Sequence, residues 1–358
     1  MKNVVEETEN RSWIEERLGL SAVLNFLKRK EIPQHKHSFW YYTGSAILLF
    51  FAIQILTGFL LVFYYKPTLE QANASVERIM TDVPFGWILR SIHSWSASFM
   101  IAFVFIHLIG IWLTKSYRRP RELTWISGVF LFAVSLFFGF TGYLLPWDDL
   151  SLSATKVGTD IPRSIPVVGA WITKLLRGGD DVTGETLSRF FGIHVCILPV
   201  FAFLLLAVHI FLVQRHGMSL PVSMEQKKEK PKNLPFWPNF VYREMIFWLL
   251  LFGILLTASI FFPPSLAEKA DLMAPAPEGI RPEWYFLFLF QTLKIFPSKV
   301  FFINGDTLAV LLIAAAGIFF LILPLLDRKV TDWKGKVFTV MAYVFIFYAL
   351  IMSVWSLL

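Results

Sequence analysis

Cysteine is almost missing from this sequence. Cys196 stands alone among 358 residues, which excludes an internal disulfide and any cysteine-built iron–sulfur or covalent haem motif within the chain. Because it falls in an apolar stretch, it is expected to be a small buried packing residue. Charge is scarce as well: Asp, Glu, Lys and Arg make up 16% of the residues, well below the share in soluble domains. The formal net charge of +7 does not call for a nucleic-acid partner, since the basic excess sits in short loops between apolar runs. The first forty residues mix both signs of charge and have no apolar segment of the signal-peptide kind, so they are expected to stay uncleaved and to form a surface helix.

What the chain has instead is apolar and aromatic side chains, 56% and 17% of the total, with a mean hydropathy of +0.58. A membrane span needs about 20 predominantly apolar residues, and such runs lie at roughly 38–65, 86–113, 124–146, 189–213, 245–263, 307–326 and 337–358. The expectation is an all-α polytopic membrane protein with about seven transmembrane helices. The shorter run "WYFLFLFQTL", 284–293, reads as a loop or interfacial helix. Lys28, Arg29 and Lys30, then Lys115, Arg118, Arg119 and Arg121, then Arg215, Lys227, Lys228, Lys230 and Lys232, then Arg328, Lys329, Lys334 and Lys336 mark alternate loops. These are expected to be cytoplasmic, together with the N-terminus.

Ionisable residues inside a span are costly and are functional candidates by default. Four of the seven histidines are so placed: His93 and His107 in the second run, His194 and His209 in the fourth. Fourteen residues separate the first pair and fifteen the second, so each pair lies nearly on one helix face with about 21–22 Å of rise between its members. With the two helices antiparallel, His93 meets His194 at the outer level and His107 meets His209 at the inner level. Two facing neutral imidazoles are the expected axial ligands of a haem iron. Structural zinc would need two further ligands at each level, and apart from Cys196 no Cys, Asp or Glu of either helix stands near to supply them.

Glycines repeat the same interval. Gly44 and Gly58 in the first run, and Gly128 and Gly142 in the third, are each fourteen apart. They fall at the two histidine levels, where the absence of a side chain gives a flat macrocycle clearance. Arg90, one turn from His93, is a candidate partner for a haem propionate. Lys115, Arg118 and Arg215 at the inner ends could serve the other haem or reach lipid phosphate.

The segments "WIEERL", "FGWILRSIHSWSASFM", "RPRELTWISGV", "GFTGYLLPWD", "RFFGIHV" and "RPEWYFLF" resemble the cytochrome b family of quinol oxidoreductases. The likeness is closest to chloroplast-type cytochrome b6 with its subunit IV, here in one chain. It implies a cytoplasmic surface segment over 1–37, a four-helix dihaem domain over 38–223, a linker over 224–240 and a three-helix domain over 241–358. Chloroplast-type relatives attach a further haem through a cysteine early in the first span, where this chain has Tyr41, which puts that covalent haem in question.

The resemblance further implies two b-type haems, ligated by His93 with His194 and by His107 with His209. Glu283 of the "PEWY" motif would accept a proton from quinol on the outer side, and Tyr143, Pro282, Trp284 and Tyr285 would shape the pocket. The implied partners are a Rieske-type iron–sulfur protein, a cytochrome c-type subunit, quinone and a second copy of the complex, in a bacterial cytoplasmic membrane.

Overall fold

The computed structural model describes residues 12–222, 224, 232–265, 267–275, 277, 279–328 and 333–358. Among the described residues two short helices come first, α1 (Trp13–Leu18) and α2 (Leu20–Arg29). Ser12 caps α1 by accepting from the Glu15 amide, and Gly19, at φ 58, provides the left-handed residue that ends one helix and starts the next. Strand β1 (Glu31–Gln34) leads into α3 (Trp40–Val62), followed by α4 (Ala72–Thr81), α5 (Gly86–Thr114) and α6 (Glu122–Tyr143). The connection after α6 carries α7 (Asp149–Arg163) and α8 (Gly169–Arg177). Next come α9 (Gly184–Gly192), a π turn over Ile193–Ile197 and α10 (Leu198–His216), which together make one long helix.

The second half begins with β2 (Lys232–Pro235) and continues through α11 (Val241–Phe261), α12 (Leu287–Lys294), β3 (Lys299–Val300), β4 (Ile303–Asn304), α13 (Gly305–Leu326) and α14 (Trp333–Leu357). Among the described residues, seven helices are long and apolar enough to cross a membrane, as the hydropathy predicts. The run at 284–293 forms a 3-10 turn and the short α12. Of the expected linker 224–240, residues 225–231 lie outside the described residues. The rest is ordered against the N-terminal segment: β2 pairs antiparallel with β1, and the Phe236 amide donates to the Lys30 carbonyl.

Apolar burial does not drive helices together in lipid as it does in water, so packing and interhelical hydrogen bonds carry the association. Phe50 of α3 is fully buried against Phe99 and Phe103 of α5, with ring centroids 5.6 and 5.8 Å away. Helix α5 also holds the end of α11, which Pro263 and Pro264 terminate. Ser91 donates to the Ser259 carbonyl at 2.7 Å, the Trp95 indole to Phe262 at 2.7 Å, and Arg90 to Pro264 at 3.0 Å. Carbonyls that a helix end leaves without partners are thus satisfied by a neighbour. At the other end of the bundle the Trp125 indole donates to the Phe320 carbonyl at 2.9 Å.

We call the end where α3 begins proximal and the opposite end distal. At the proximal end Lys115 Nζ meets Asp327 Oδ2 at 3.0 Å with both side chains buried, and the Tyr117 hydroxyl donates to the same oxygen at 2.6 Å. Lys115, a candidate for a haem propionate on sequence grounds, is therefore committed to an ion pair that joins α5 to the end of α13. Cys196 also departs from expectation. It is exposed, because it projects from the outer side of the π turn.

Breaking a buried ion pair by removing one partner strands the other charge, at a cost of about 3–5 kcal/mol, whereas replacing both by apolar groups is close to neutral. Asp327→Leu is expected to lower the thermal unfolding temperature of the detergent-solubilised protein, and Lys115→Met added to it to recover most of the loss. An additive double variant would show that the pair does not act as a unit.

Candidate functional site

The four histidines occupy two levels on facing helices. At the distal level His93 and His194 have ring centroids 6.5 Å apart and ring planes at 72°. Imidazole–metal bonds of about 2.0–2.1 Å on each side, added to the distance from each nitrogen to its own ring centroid, span roughly that gap. At the proximal level His107 and His209 lie within electrostatic range of each other.

Each ring is fixed at Nδ1 by a hydroxyl from the adjoining helix. The contacts are Thr57 with His93 at 2.9 Å, Thr43 with His107 at 2.9 Å, Thr141 with His194 at 3.1 Å and Ser127 with His209 at 2.9 Å. The direction of these bonds follows from the hydroxyls' other contacts. Thr57 donates to Ile53 O, Thr43 to Trp40 O, Thr141 to Phe137 O and Ser127 to Thr124 O, at 2.7, 2.7, 2.9 and 2.9 Å. A hydroxyl has one proton. With that proton turned to its own helix, the oxygen accepts from the imidazole, so Nδ1 carries the hydrogen and Nε2 keeps its lone pair. All four histidines are thereby left with an Nε2 lone pair able to take a metal ion.

Every one of these hydroxyl residues is followed by a glycine. A Cβ on Gly44 would lie 3.4 Å from His107 Cε1, on Gly58 3.1 Å from His93, on Gly128 3.2 Å from His209 and on Gly142 2.7 Å from His194. The two levels expected for the glycines hold. Their nearest neighbours are the imidazole edges, so the glycines give room to the histidine rings themselves. The paired Ser/Thr–Gly steps 43–44, 57–58, 127–128 and 141–142 share the fourteen-residue interval, a signal that glycine spacing alone had half revealed.

Among the described residues no group of three or more His, Cys, Asp or Glu converges. Each histidine pair therefore offers two protein donors, the axial number that a porphyrin-held iron takes. Together with the preset Nε2 lone pairs and the glycine clearances, this donor set fits two b-type haems.

The arginines are placed differently from one another. Arg90 turns towards the connection after α11, where Pro264 O and Ser265 O accept from it at 3.0 and 3.4 Å. Arg118 donates to the Lys115 carbonyl at 3.0 Å, and Arg215 is exposed at the end of α10.

Glu283 stands at the distal end. Pro282 precedes it, and its carbonyl accepts from the Phe286 amide at 2.8 Å, closing the 3-10 turn that carries Trp284 and Tyr285. Burial pushes the Glu283 carboxyl above the usual carboxylate range. Tyr143 and Tyr285 are both within its electrostatic reach. Burial first, and then the Glu283 carboxylate, push the Tyr285 phenol up. The Tyr285 ring lies against Gly139 of α6, where a Cβ would come 2.5 Å from its hydroxyl. Gly139 thus belongs to this cluster, although only its place three residues before Gly142 hints at it. Trp284 is partly exposed, with its ring centroid 6.3 Å from that of Phe105.

Comparison with known proteins follows this geometry. Residues 27–217 match the family described as Cytochrome b/b6/petB, and residues 269–358 match Cytochrome b(C-terminal)/b6/petD. The cytochrome b subunit of a cytochrome bc complex from Chlorobaculum thiosulfatiphilum is 45% identical over 341 residues, covering 95% of this chain and 78% of the relative. Cytochrome b6 of Gracilaria tenuistipitata var. liui is 43% identical over 210 residues, 59% of this chain and 97% of that protein. A solved hyperthermophilic respiratory Complex III chain superposes with a TM-score of 0.86 at 30% identity, covering 97% of this chain and 91% of the other.

The glycine contacts are unequal, and the inequality can be tested. Gly142→Ala would press on the His194 ring and is expected to cost one of the two haems, read as a halved pyridine haemochrome absorbance. Gly44→Ala makes an ordinary contact and is expected to keep both. Equal effects at the two positions would show that clearance for the imidazoles is not what these glycines provide.

Proposed function

The chain belongs to the cytochrome b/b6 family and carries both halves of it in one polypeptide, and from that premise we propose that it oxidises quinol at its distal end and reduces quinone at its proximal end. It is an integral membrane protein and the cytochrome b subunit of a bc-type complex. In the proposed reading the distal end faces outward from a bacterial cytoplasmic membrane and the N-terminus faces the cytoplasm, in keeping with the basic loops at the proximal end. A Rieske-type iron–sulfur protein takes one electron from quinol, a cytochrome c-type subunit receives it, and the complex works as a dimer. The proposed domain limits are 1–37, 38–223, 224–240 and 241–358.

His93 with His194 would hold one b-type haem and His107 with His209 the other, each through Nε2. When bound, the two haems supply one-electron transfer between the distal and proximal levels. The hydroxyls of Thr57, Thr141, Thr43 and Ser127 keep the rings in the ligating tautomer, so no proton has to leave an imidazole before it can coordinate. Tyr41 stands where chloroplast-type relatives carry the attachment cysteine. Its hydroxyl donates to Ser219 O at 2.8 Å and accepts from His35 Nε2 at 2.6 Å. We therefore propose two extractable haems and no covalent one.

The observation that carries the quinol reading is the half-buried Glu283 carboxyl beside Tyr143 and Tyr285. A carboxylate in a poorly solvated cleft holds a proton more firmly than one in water, which suits it to take the proton of a quinol hydroxyl. Pro282 restricts the preceding backbone, while Trp284 and Tyr285 supply an aromatic wall for an apolar ring. Arg90, Arg118 and Arg215 remain the proposed contacts for haem propionates, Arg90 through donors not directed at Pro264 and Ser265.

Only the ionised form of Glu283 can accept a proton. Turnover is therefore expected to rise with pH through a value above the usual carboxylate range and then level off. Glu283→Gln is expected to lower quinol oxidation about 10²-fold or more, to abolish that rise, and to leave the reduced-minus-oxidised haem spectrum unchanged. Unchanged turnover would remove Glu283 from the reaction. Acid–acetone extraction is expected to release all the haem from the chain, and colour left on the polypeptide would count against the assignment of Tyr41.

A further inference from the structure

The two ligand-bearing helices do not have the same spacing. His93 and His107 are fourteen residues apart, His194 and His209 fifteen. On a regular helix fourteen residues fall about 40° short of four turns and fifteen overshoot by about 60°. With both helices regular, one ring of the second pair would point about 100° away from where its counterpart points. Yet His194 and His209 sit against Gly142 and Gly128, and bond to Thr141 and Ser127, as His93 and His107 do with Gly58, Gly44, Thr57 and Thr43.

The difference is absorbed in one place. Over Ile193–Ile197 the helix opens into a π turn, closed by the Leu198 amide reaching back to the Ile193 carbonyl. Such a turn holds one residue more than the α turn it replaces, which returns the fifteen-residue interval to the phase of fourteen. His194 lies inside the turn. Pro199 follows directly after it, at the start of α10. Proline has no amide to bond a carbonyl four residues back, and its ring would strike that carbonyl, here that of Val195, in a regular helix. An α-helical turn is thus disfavoured at this position and at no other point between the two histidines.

We propose that the π turn is a register device that takes up the extra residue so that His194 faces the same cleft as His209, and that Pro199 is the positioning residue that keeps it beside His194. This rests on the dihaem reading above, whose failure would appear separately as absence of haem from the unaltered protein.

The experiment deletes Cys196, an exposed residue within the turn, together with Pro199→Ala in the whole complex, because a retained proline would strike the His194 carbonyl, then four residues back. With fourteen residues left, the helix can close to regular turns with both rings in phase. Two b-type haems with a near-normal distal spectrum are expected, and loss of the distal haem alone would overturn the proposal. The point variant Pro199→Ala tests the device without changing the length. With an amide restored at 199, the wide turn is free to move along the helix. The distal haem's electron paramagnetic resonance line is expected to broaden or split, and its midpoint potential to shift, with the proximal signal unmoved. Signals identical to those of the unaltered protein at both haems would show that Pro199 does not place the turn.

Discussion

The bond between an imidazole Nδ1 and a hydroxyl whose proton is already committed to its own helix is the contact on which this structure turns. It occurs four times, always with the hydroxyl one residue ahead of a glycine. The hydroxyl decides which ring nitrogen keeps its lone pair, and the glycine lets the ring approach the opposing backbone. Neither part suffices alone. A ring with clearance and no hydroxyl could rotate or change tautomer, and a ring facing an alanine would be pushed from its place where the approach is as close as at Gly142. Helix pairing follows from the same bonds: α3 serves the histidines of α5, and α6 serves those of the long helix formed by α9 and α10.

Much of this was legible in one dimension. Hydropathy gave the spans, and histidine and glycine intervals gave two levels, because each of these signals runs along a single helix. The hydroxyls preceding the glycines share the interval but carry little signal by themselves, since Ser and Thr in a span usually just bond their own backbone. The π turn was hidden for another reason. A fifteen-residue interval passes as nearly in phase until the angle is worked out, and one proline five residues after a histidine does not announce a wide turn.

Other features had no local signal at all. Lys115 finds Asp327 across 212 residues, and Arg90 finds Pro264 across 174, so each looked like a free cation awaiting an anionic group. Helices α4, α7 and α8 are short and amphipathic, and hydropathy alone left them within loops. Cys196 was assigned to the interior because apolar surroundings in sequence suggest burial. In a lipid-facing helix, apolar neighbours are equally expected on the outside.

The three bonds from α5 to the frayed end of α11 have a mechanical meaning. Ser91, Arg90 and Trp95 surround His93 within one turn on either side, and they grip successive carbonyls at 259, 264 and 262. The connection that leads to Glu283 leaves from there. The connection that leads to the group proposed to receive the proton thus starts from a point held by the helix that carries His93. A displacement of the start of that connection must break bonds whose donors stand within one turn of His93. In a reaction proposed to send a proton and an electron from one molecule along different routes, the two routes would begin on either side of that shared anchor.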